Sequence, residues 1–366
     1  MTILYTDASR SGEHQLHSID QMVSLQRKGH RVMLACREDS WIAKEAYCHN
    51  ISVSYIPFKN SLHIPSILAL IRLIIRSRPT LIVTHNSNDT NIVGIARALM
   101  IGRISHFCII QQKTGLPEKM RMLPLNYMCD VVAVPAKAMI ERLMQAGCRK
   151  PVYLVPPGCD FKRLQVLQEI PLPTYISDWL LKTGKAPVIV QSGMMCSKKI
   201  NDFIINVLYR LKQSGFRFRW LITGHGAEKD KHRLINVIAA LGMEDYILVC
   251  GNVIPVARLY KIAQLMVTHT CSESFNMDIV EAALCGVPIM ADYVGSIPDM
   301  LLNGHNGILL PPNDKDAWLE SLTHFLSDPT YMQYMACQAY WDMETRYSID
   351  VTVLRLLEFS QHYKDR

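Results

Sequence analysis

Short apolar runs alternate with amphipathic helical segments along nearly the whole chain, and this alternation constrains the fold more than any other feature. In the first half, residues 2–6 have the pattern of a buried strand, and residues 16–28 have that of a helix ending at Gly29. The same order repeats up to an apolar run at 152–155. Strands separated by helices of roughly ten to fifteen residues are typical of a parallel, doubly wound sheet.

A second series with the same alternation begins at Val188. The chain has 366 residues, whereas a single core stops growing near about 250–300 residues. We therefore predict an α/β protein of two Rossmann-like, doubly wound domains, residues 1–163 and 187–344, joined by a linker at 164–186. The helix from about 345 to 366 is expected to pack back on the first domain. Because ligands bind beyond the carboxyl ends of such strands, we expect the domains to face each other across a cleft.

Composition limits the class of protein. A hydrophobic fraction of 49% with 19% charged residues indicates a folded globular chain. No apolar leader is seen at the start, and no apolar run approaches the roughly 20 residues of a membrane span. The eleven cysteines form no C-x-x-C pair, which favours reduced thiols and argues against a structural zinc. We expect a cytoplasmic protein, with a peripheral position on the inner face of the plasma membrane as a further option.

Charge is distributed unevenly. Residues 1–165 carry 21 Lys and Arg against 11 Asp and Glu, and residues 166–366 carry 18 against 21. A basic first half suggests an anionic partner, either membrane lipid or nucleic acid, although a merely soluble basic surface remains the alternative. The candidate contacts are Arg72 and Arg76 on a helix, and Lys119 and Arg121 in a methionine-rich loop. Packing of those methionines in the core is the alternative for the loop.

Residues 268–300 contain an acidic turn between a strand and a helix. Glu273 and Glu281 are separated by seven residues and enclose the polar run 274–276, and the following helix ends at Gly286. The N-terminus of such a helix offers free backbone N–H groups, which bind phosphate well. Taken alone, the pattern also fits an ordinary turn with solvated glutamates.

Other strands are followed by glycine or by polar side chains at the edge where ligands bind: Gly12, His85, Gly193, Lys198, Lys199 and Gly224. A glycine lets the backbone approach a ligand closely, and paired lysines suit a diphosphate. The alternatives are a structural hydrogen bond for His85 and a solvated charge pair for the two lysines.

The order of these motifs resembles that of the retaining GT-B glycosyltransferases of family GT4, whose members build lipopolysaccharide cores, capsules and glycolipids in bacteria. The resemblance covers nearly the whole chain. The motifs that carry it are Ser11-Gly12-Glu13, the run from Val155 to Asp160, Gly193 to Lys199, Gly224-His225-Gly226, the E-x7-E pair Glu273 and Glu281, and Asn303 to Gly307.

The resemblance implies a role for each motif on the donor side. Glu281 would accept hydrogen bonds from the ribose hydroxyls, and Glu273 would hold hydroxyls of the transferred sugar. The backbone of Ser274, Phe275, Asn276 and Met277 would bind the diphosphate, together with Gly12, Gly193 and Gly224. Lys199, helped by Lys198, would neutralise the leaving diphosphate.

The resemblance also implies that His85 faces the transferred sugar, so that Glu273, Lys199 and His85 form the catalytic set. The donor would be a UDP- or GDP-linked sugar, and the acceptor a saccharide or a lipid-linked molecule. No cofactor, no metal and no nucleic acid partner are expected, while an anionic membrane surface remains a candidate partner.

The chain departs from the family pattern at four positions. Met194 replaces an arginine, Ile200 and Asn276 replace glycines, and Asp278 replaces a proline. Loss of the arginine would weaken the hold on the diphosphate unless Lys198 substitutes for it. The sequence therefore leaves two functions open: a glycosyltransferase, or a non-catalytic GT-B binding subunit of a glycosyltransferase complex.

Overall fold

The computed structural model describes residues 1–9, 14–102, 107–116, 121–193, 198–270 and 275–362, and at 14–16, 198–201, 360 and 362 it describes the backbone alone. The chain divides into two compact units. The first takes residues 1–159 and the residues from Tyr347 onward, and the second takes residues 160–346.

Each unit contains one sheet in which every neighbouring pair of strands is parallel. The strands are β1 (Thr2–Asp7), β2 (Arg31–Cys36), β3 (Ser52–Tyr55), β4 (Leu81–Thr84), β5 (Cys108–Gln112), β6 (Val131–Val134), β7 (Val152–Leu154), β8 (Val188–Ser192), β9 (Arg219–Thr223), β10 (Ile247–Gly251), β11 (Leu265–Thr268), β12 (Ile289–Asp292) and β13 (Ile308–Leu310). The first sheet has the order β3-β2-β1-β4-β5-β6-β7, and the second has the order β10-β9-β8-β11-β12-β13. The doubly wound α/β fold predicted from the alternation is therefore confirmed.

Helices connect the strands of both sheets. They are α1 (His14–Arg27), α2 (Trp41–Cys48), α3 (Ile64–Ser77), α4 (Ser87–Leu99), α5 (Lys137–Gln145), α6 (Phe161–Gln168), α7 (Thr174–Lys182), α8 (Lys198–Gln213), α9 (Glu228–Ala240), α10 (Ala257–Tyr260), α11 (Met277–Leu284), α12 (Ile297–Met300), α13 (Lys315–Ser327), α14 (Gln333–Tyr347) and α15 (Ile349–His362), with a π-helical turn at Pro124–Met128 and a 3-10 turn at Pro329–Met332. The order of strands reverses between β1 and β4 and again between β8 and β11, which are the positions where such sheets bind ligands.

The first unit is closed by the last helix. Val353 and Leu356 of α15 are fully buried and share a core cluster with Ile19 of α1. A Cβ added to Gly158 would lie 2.5 Å from the Cα of Ile349. The start of α15 therefore packs directly against the backbone of Gly158. A larger residue at this position would push the helix away.

The stretch predicted as a linker, 164–186, differs from that prediction. The structure places α6 and α7 there, within the second unit. The hydroxyl of Tyr175 donates to the carbonyl of Cys250 at 2.8 Å, and the indole of Trp179 donates to the carbonyl of Glu244 at 2.8 Å. These aromatic anchors attach α7 to the second unit, so the prolines in this stretch separate two helices and do not mark a free connection.

The C-terminal helix expected from about 345 to 366 begins at Ile349, and a separate helix, α14, ends two residues earlier at Tyr347. The break coincides with a parallel bridge between Cys159 and Ser348. In the part of the chain described here, no helix is long and apolar enough to cross a membrane. The nine cysteines that the structure describes all carry free thiols.

Candidate functional site

Two glycines meet at the carboxyl edge of the second sheet. Gly193 follows β8 and Gly224 follows β9, and both have left-handed backbone conformations, with φ of 130° and 144°. A Cβ at Gly224 would lie 1.5 Å from the carbonyl oxygen of Gly193, whereas a Cβ at Gly193 would meet no atom of the described residues within 4 Å. The site thus presents bare backbone where a bulky ligand can approach it closely.

The N-terminus of α11 follows the neighbouring strand β11. Asn276 caps this helix, since its side-chain oxygen accepts the N–H of Asp278 at 3.1 Å. The amide nitrogen of the same side chain donates to the hydroxyl of Thr268 at 2.9 Å, which ties the start of the helix to the end of β11. Phe275 and Met277 flank the cap in the chain, so the positive end of the helix dipole lies in this segment.

A chain of hydrogen bonds links α10, β8 and α11 at this edge. The hydroxyl of Tyr260 donates to the hydroxyl of Ser192 at 3.0 Å, and Ser192 in turn hydrogen-bonds the carboxyl group of Asp278. Burial raises the pKa of Asp278 to about 6, and the bond from Ser192 opposes this rise. Burial also raises the pKa of Tyr260, and the charges of Asp278 and of half-buried Glu281 add to that rise. Glu281 therefore lies close enough to this network to act on it.

A buried pair fixes the end of β11, just before residues 271–274. His269 Nδ1 lies 2.6 Å from Asp292 Oδ2, and the backbone N–H of Thr270 donates to the same carboxylate at 2.9 Å. The indole of Trp318 donates to the other oxygen at 3.2 Å, and the ring of Phe203 stacks on His269. Asp292 thus accepts hydrogen bonds from neighbouring segments and holds the strand exit in place.

Several predicted site residues lie outside the described residues: Gly12, Lys119, Glu273 and Ser274, and with them Met194. Lys198 and Lys199 begin α8, which follows β8, but only their backbone is described. The structure therefore brings together Gly193, Gly224, the residues around the start of α11, and Glu281, and it leaves the other assignments as predictions.

In the first unit, His85 follows β4 at the carboxyl edge of the sheet. Its Nδ1 lies 3.1 Å from the carbonyl oxygen of Thr6, which can only accept a hydrogen bond. Nδ1 therefore carries the proton, and in the neutral ring Nε2 accepts from the hydroxyl of Ser18 at 2.9 Å. The ring also stacks at 6.1 Å on Tyr5. These contacts fix the orientation of His85, so the residue makes the structural hydrogen bonds that were the alternative to a role in the site. Its predicted role toward the sugar stays a prediction.

A buried carboxyl group supports His85 from behind. Asp89 is fully buried and accepts the backbone N–H groups of His85, Asn86 and Thr90 together with the hydroxyl of Thr6. Burial raises the pKa of Asp89 to about 7, the charge of Asp7 raises it further, and the backbone N–H groups oppose the shift. Asn86 and Asp89 also form the capping box at the start of α4.

A small pocket at this edge contains residues that the sequence analysis missed. It is lined by His17, Ser18, Gln21, His85, Gln112, Lys113, Thr114, Val155 and Pro157. Gln112 ends β5 and Lys113 follows it, just as His85 follows β4. Their position at or just after the end of a buried strand is the signal that could have identified both residues.

The structure describes three of the four predicted surface residues, and all three are exposed. Arg72 and Arg76 are exposed on α3, and Arg121 is exposed just before the π-helical turn at Pro124–Met128. Helix α3 has three buried apolar side chains, Ile67, Leu70 and Ile74, on its opposite face. Among the described residues, no group of three or more His, Cys, Asp or Glu side chains could hold a metal ion.

Comparison with known families gives the same assignment for both units. Residues 17–163 match the model described as Glycosyltransferase Family 4, and residues 186–328 match the model described as Glycosyl transferases group 1. The chain belongs to glycosyltransferase family 4. Among curated relatives of this family 4 protein, the D-inositol 3-phosphate glycosyltransferase of Nocardia farcinica is 24% identical over 229 residues, which are 61% of this chain and 49% of the relative. The aligned region thus spans about half the length of that relative.

Solved structures resemble the family 4 chain over its whole length. Alr3699/HepE of Anabaena, solved in complex with UDP, matches with a TM-score of 0.81 at 19% identity and covers 99% of this chain and 100% of its own. The lipopolysaccharide outer core galactosyltransferase WaaB, in its apo form, matches with a TM-score of 0.71 at 17% identity and full coverage of both chains. At these identities the likeness establishes the fold, and the predicted GT-B architecture is confirmed.

Proposed function

We propose that this protein is a retaining glycosyltransferase that moves a sugar from a nucleoside-diphosphate sugar to a saccharide or lipid-linked acceptor in bacterial surface-glycan biosynthesis. The observation that carries the proposal is the carboxyl edge of the second sheet. There the bare backbone of Gly193 and Gly224 lies at the strand ends, and the strand next to β8 leads into the N-terminus of α11. Backbone N–H groups and a helix N-terminus are suited to a diphosphate, which is common to all such donors.

The proposed chemistry places the developing charge at this edge. The bond between the anomeric carbon and the β-phosphate oxygen breaks, and the diphosphate leaves with the electron pair. A hydroxyl of the acceptor attacks the same face of the sugar and gives its proton to a phosphate oxygen of the leaving diphosphate. The helix dipole of α11, with Lys198 and Lys199 at the start of α8, would stabilise the leaving anion. These positive groups make a metal unnecessary in the proposal, and no enzyme nucleophile is assigned.

For the donor we propose a UDP-linked sugar. The support is the complex of HepE with UDP, a protein of the same fold. Glu281 would accept hydrogen bonds from the ribose hydroxyls, since it lies in the second turn of α11 and is half-buried near Asp278 and Tyr260. For the pathway, the name of WaaB supports the synthesis of a surface glycan.

Removal of the Glu281 carboxylate tests the proposal. We expect Glu281→Ala to lower kcat/KM with a UDP-sugar by roughly a hundredfold, because hydrogen bonds to a charged group each contribute about 1.5–3 kcal/mol. The measurement is UDP release across a panel of UDP- and GDP-sugars. Glu320→Ala is the matched control, since Glu320 is an exposed carboxylate in α13 of the same unit. Equal, near-zero turnover of the wild type and Glu281→Ala with every donor would instead favour the non-catalytic binding subunit.

We also propose that the exposed face of α3 binds an anionic membrane surface on the cytoplasmic side. Leu68, Arg72, Ile75 and Arg76 lie on this exposed face at helical spacing, and α3 contains no acidic residue. Apolar side chains interleaved with arginines are typical of interfacial helices. Because each basic residue near such a surface contributes about 1 kcal/mol, Arg72→Glu should lower co-sedimentation with phosphatidylglycerol vesicles by roughly tenfold. Lys44→Glu, at an exposed position of α2, should have no such effect. Equal losses for both variants would contradict a role of α3.

A further inference from the structure

The pocket at the carboxyl edge of the first sheet contains an amine with no salt-bridge partner among the residues that the structure describes. Lys113 follows β5, and its backbone N–H donates to the carbonyl of Ala133 at 2.8 Å, which fixes its position. Its side chain is half-buried and lines the pocket together with His85. Burial lowers the pKa of Lys113, and the charge of Asp89 opposes this shift. Burial removes part of the hydration of the ammonium group, and a bound anion would stabilise the charge in place of that water.

A second buried residue lines the same pocket. Gln112 is 5% exposed, and its side-chain oxygen has no hydrogen-bond partner among the described residues. A buried amide of this kind is costly unless a ligand or a water molecule satisfies it. Gln112 lines the pocket beside Lys113, so the wall offers both an acceptor and a cation to one ligand group.

The remaining lining residues add no negative charge. The hydroxyl of Ser18 is engaged with His85, and Thr114 supplies a further hydroxyl. The lining residues that the structure describes include no Asp or Glu. The pocket is small, so it is suited to a single group of a larger molecule.

We propose that this pocket binds an oxyanion of the acceptor, a phosphate or a carboxylate, so that the acceptor of this enzyme is an anionic saccharide. The Lys113 ammonium pairs with the oxyanion, and the side-chain oxygen of Gln112 accepts a hydrogen bond from a neighbouring hydroxyl of the same sugar. This inference rests on the proposed glycosyltransferase function, and it concerns a pocket in the first unit, whereas the proposed donor site lies in the second.

The test uses the full chain saturated with UDP and three probes: glucose 6-phosphate, glucuronate and glucose. Isothermal titration should show that at least one anionic sugar binds about tenfold or more tightly than glucose, as expected for a hydrogen-bonded charge. Comparison of the two anionic probes distinguishes a phosphate from a carboxylate. Lys113→Gln should abolish the preference, and Lys113→Arg should retain it. Lys59→Gln, which removes an exposed charge of the same unit, should leave it intact.

Three results would overturn the inference. Equal binding of glucose and both anionic sugars would show that the pocket does not select charge. Equal losses in Lys113→Gln and Lys59→Gln would indicate general attraction to a basic surface. A loss of UDP affinity in Lys113→Gln, with sugar binding unchanged, would assign Lys113 to the donor. Failure of the wild type to bind UDP would contradict the proposed function separately, because the preference for anionic sugars can also be measured without UDP.

Discussion

The two sheets share one order over six strands but differ in what they present at their carboxyl edges. The second sheet presents backbone, with Gly193 and Gly224 in left-handed conformations and a capped helix start at α11. The first sheet presents side chains, with His85 oriented by Thr6 and Ser18 and with Gln112 and Lys113 lining a pocket. The same topology thus supports two kinds of site.

The difference has a physical meaning under the proposed function. Backbone N–H groups would recognise what every nucleoside-diphosphate sugar has in common, and every substitution except proline leaves them in place. Side chains at the same position of the other sheet can change one at a time, so they are suited to an acceptor that differs between enzymes. The first edge would then determine specificity, and the second would determine the class of reaction.

The largest expected effect tests the backbone edge. Gly224→Ala would place a Cβ 1.5 Å from the Gly193 carbonyl oxygen, so one strand end must move. We expect UDP binding to weaken by at least tenfold, and unfolding to become easier by about 1–3 kcal/mol, as for other overpacked sites.

The control is Gly215→Ala, at another left-handed glycine of the second unit, where a Cβ would meet no described atom within 4 Å. It should cost only the backbone strain of about 1–2 kcal/mol. Titration calorimetry with UDP and denaturant unfolding measure both effects. Wild-type UDP affinity in Gly224→Ala would show that this edge does not bind the diphosphate.

The next effect tests whether a change at the edge of the first sheet leaves UDP binding at the second sheet unchanged. Asp89 is fully buried and accepts hydrogen bonds from backbone and side-chain donors around His85. Asp89→Asn turns one acceptor oxygen into a donor, and each buried donor left without a partner costs about 1–3 kcal/mol. We expect a loss of about 1–3 kcal/mol in the free energy of unfolding, measured by urea denaturation, with UDP affinity unchanged. A parallel loss of UDP affinity would show that the edges are not independent.

The smallest effect concerns charge at the backbone edge. Burial raises the pKa of Asp278 to about 6, so this carboxyl group becomes an anion between pH 5 and 7.5. We expect the affinity for UDP-glucose to fall a few-fold over that range, because the carboxylate repels the diphosphate. The Asp278→Asn variant should bind UDP-glucose with the same affinity at pH 5 and at pH 7.5. If its affinity instead fell with pH as in the wild type, Asp278 would be excluded as the cause.

Stability must be measured alongside that binding. The folded-state pKa of Asp278 is higher than the ordinary value of about 3.9 for an unfolded chain. The native state therefore binds more protons, and the stability contributed by this group is present below about pH 4 and is lost as the pH rises through about 6. Denaturation curves at each pH distinguish this loss from weaker donor binding.

The sequence was sufficient for the features that depend on local pattern. Alternating strands and helices predicted both parallel sheets, and residues following strands predicted His85, Gly193 and Gly224 at the carboxyl edges. The helices α6 and α7 were missed, because prolines at 171 and 173 resemble linker punctuation and the anchoring contacts of Tyr175 and Trp179 are distant in sequence.

Features that depend on distant contacts could not be predicted. The network of Tyr260, Ser192 and Asp278 joins residues from three separate elements, and no spacing in the sequence relates them. Lys113 could have been identified by its position after β5. Its burial in the pocket, which makes it a candidate to bind an anion, depends on contacts that the sequence does not show. Local periodicity therefore predicts where a site lies more readily than which charges it contains.

The return of α15 to the first unit has a consequence for biosynthesis. During translation, the strands of the first sheet leave the ribosome early, but Val353 and Leu356, which complete their hydrophobic core, are made only after all of residues 160–346. The second unit is continuous in sequence and can fold while the first still exposes an apolar face around α1 and Gly158. The half of the protein that is synthesised first is therefore completed last, and that interval is when nascent chains are most exposed to chaperones and to aggregation.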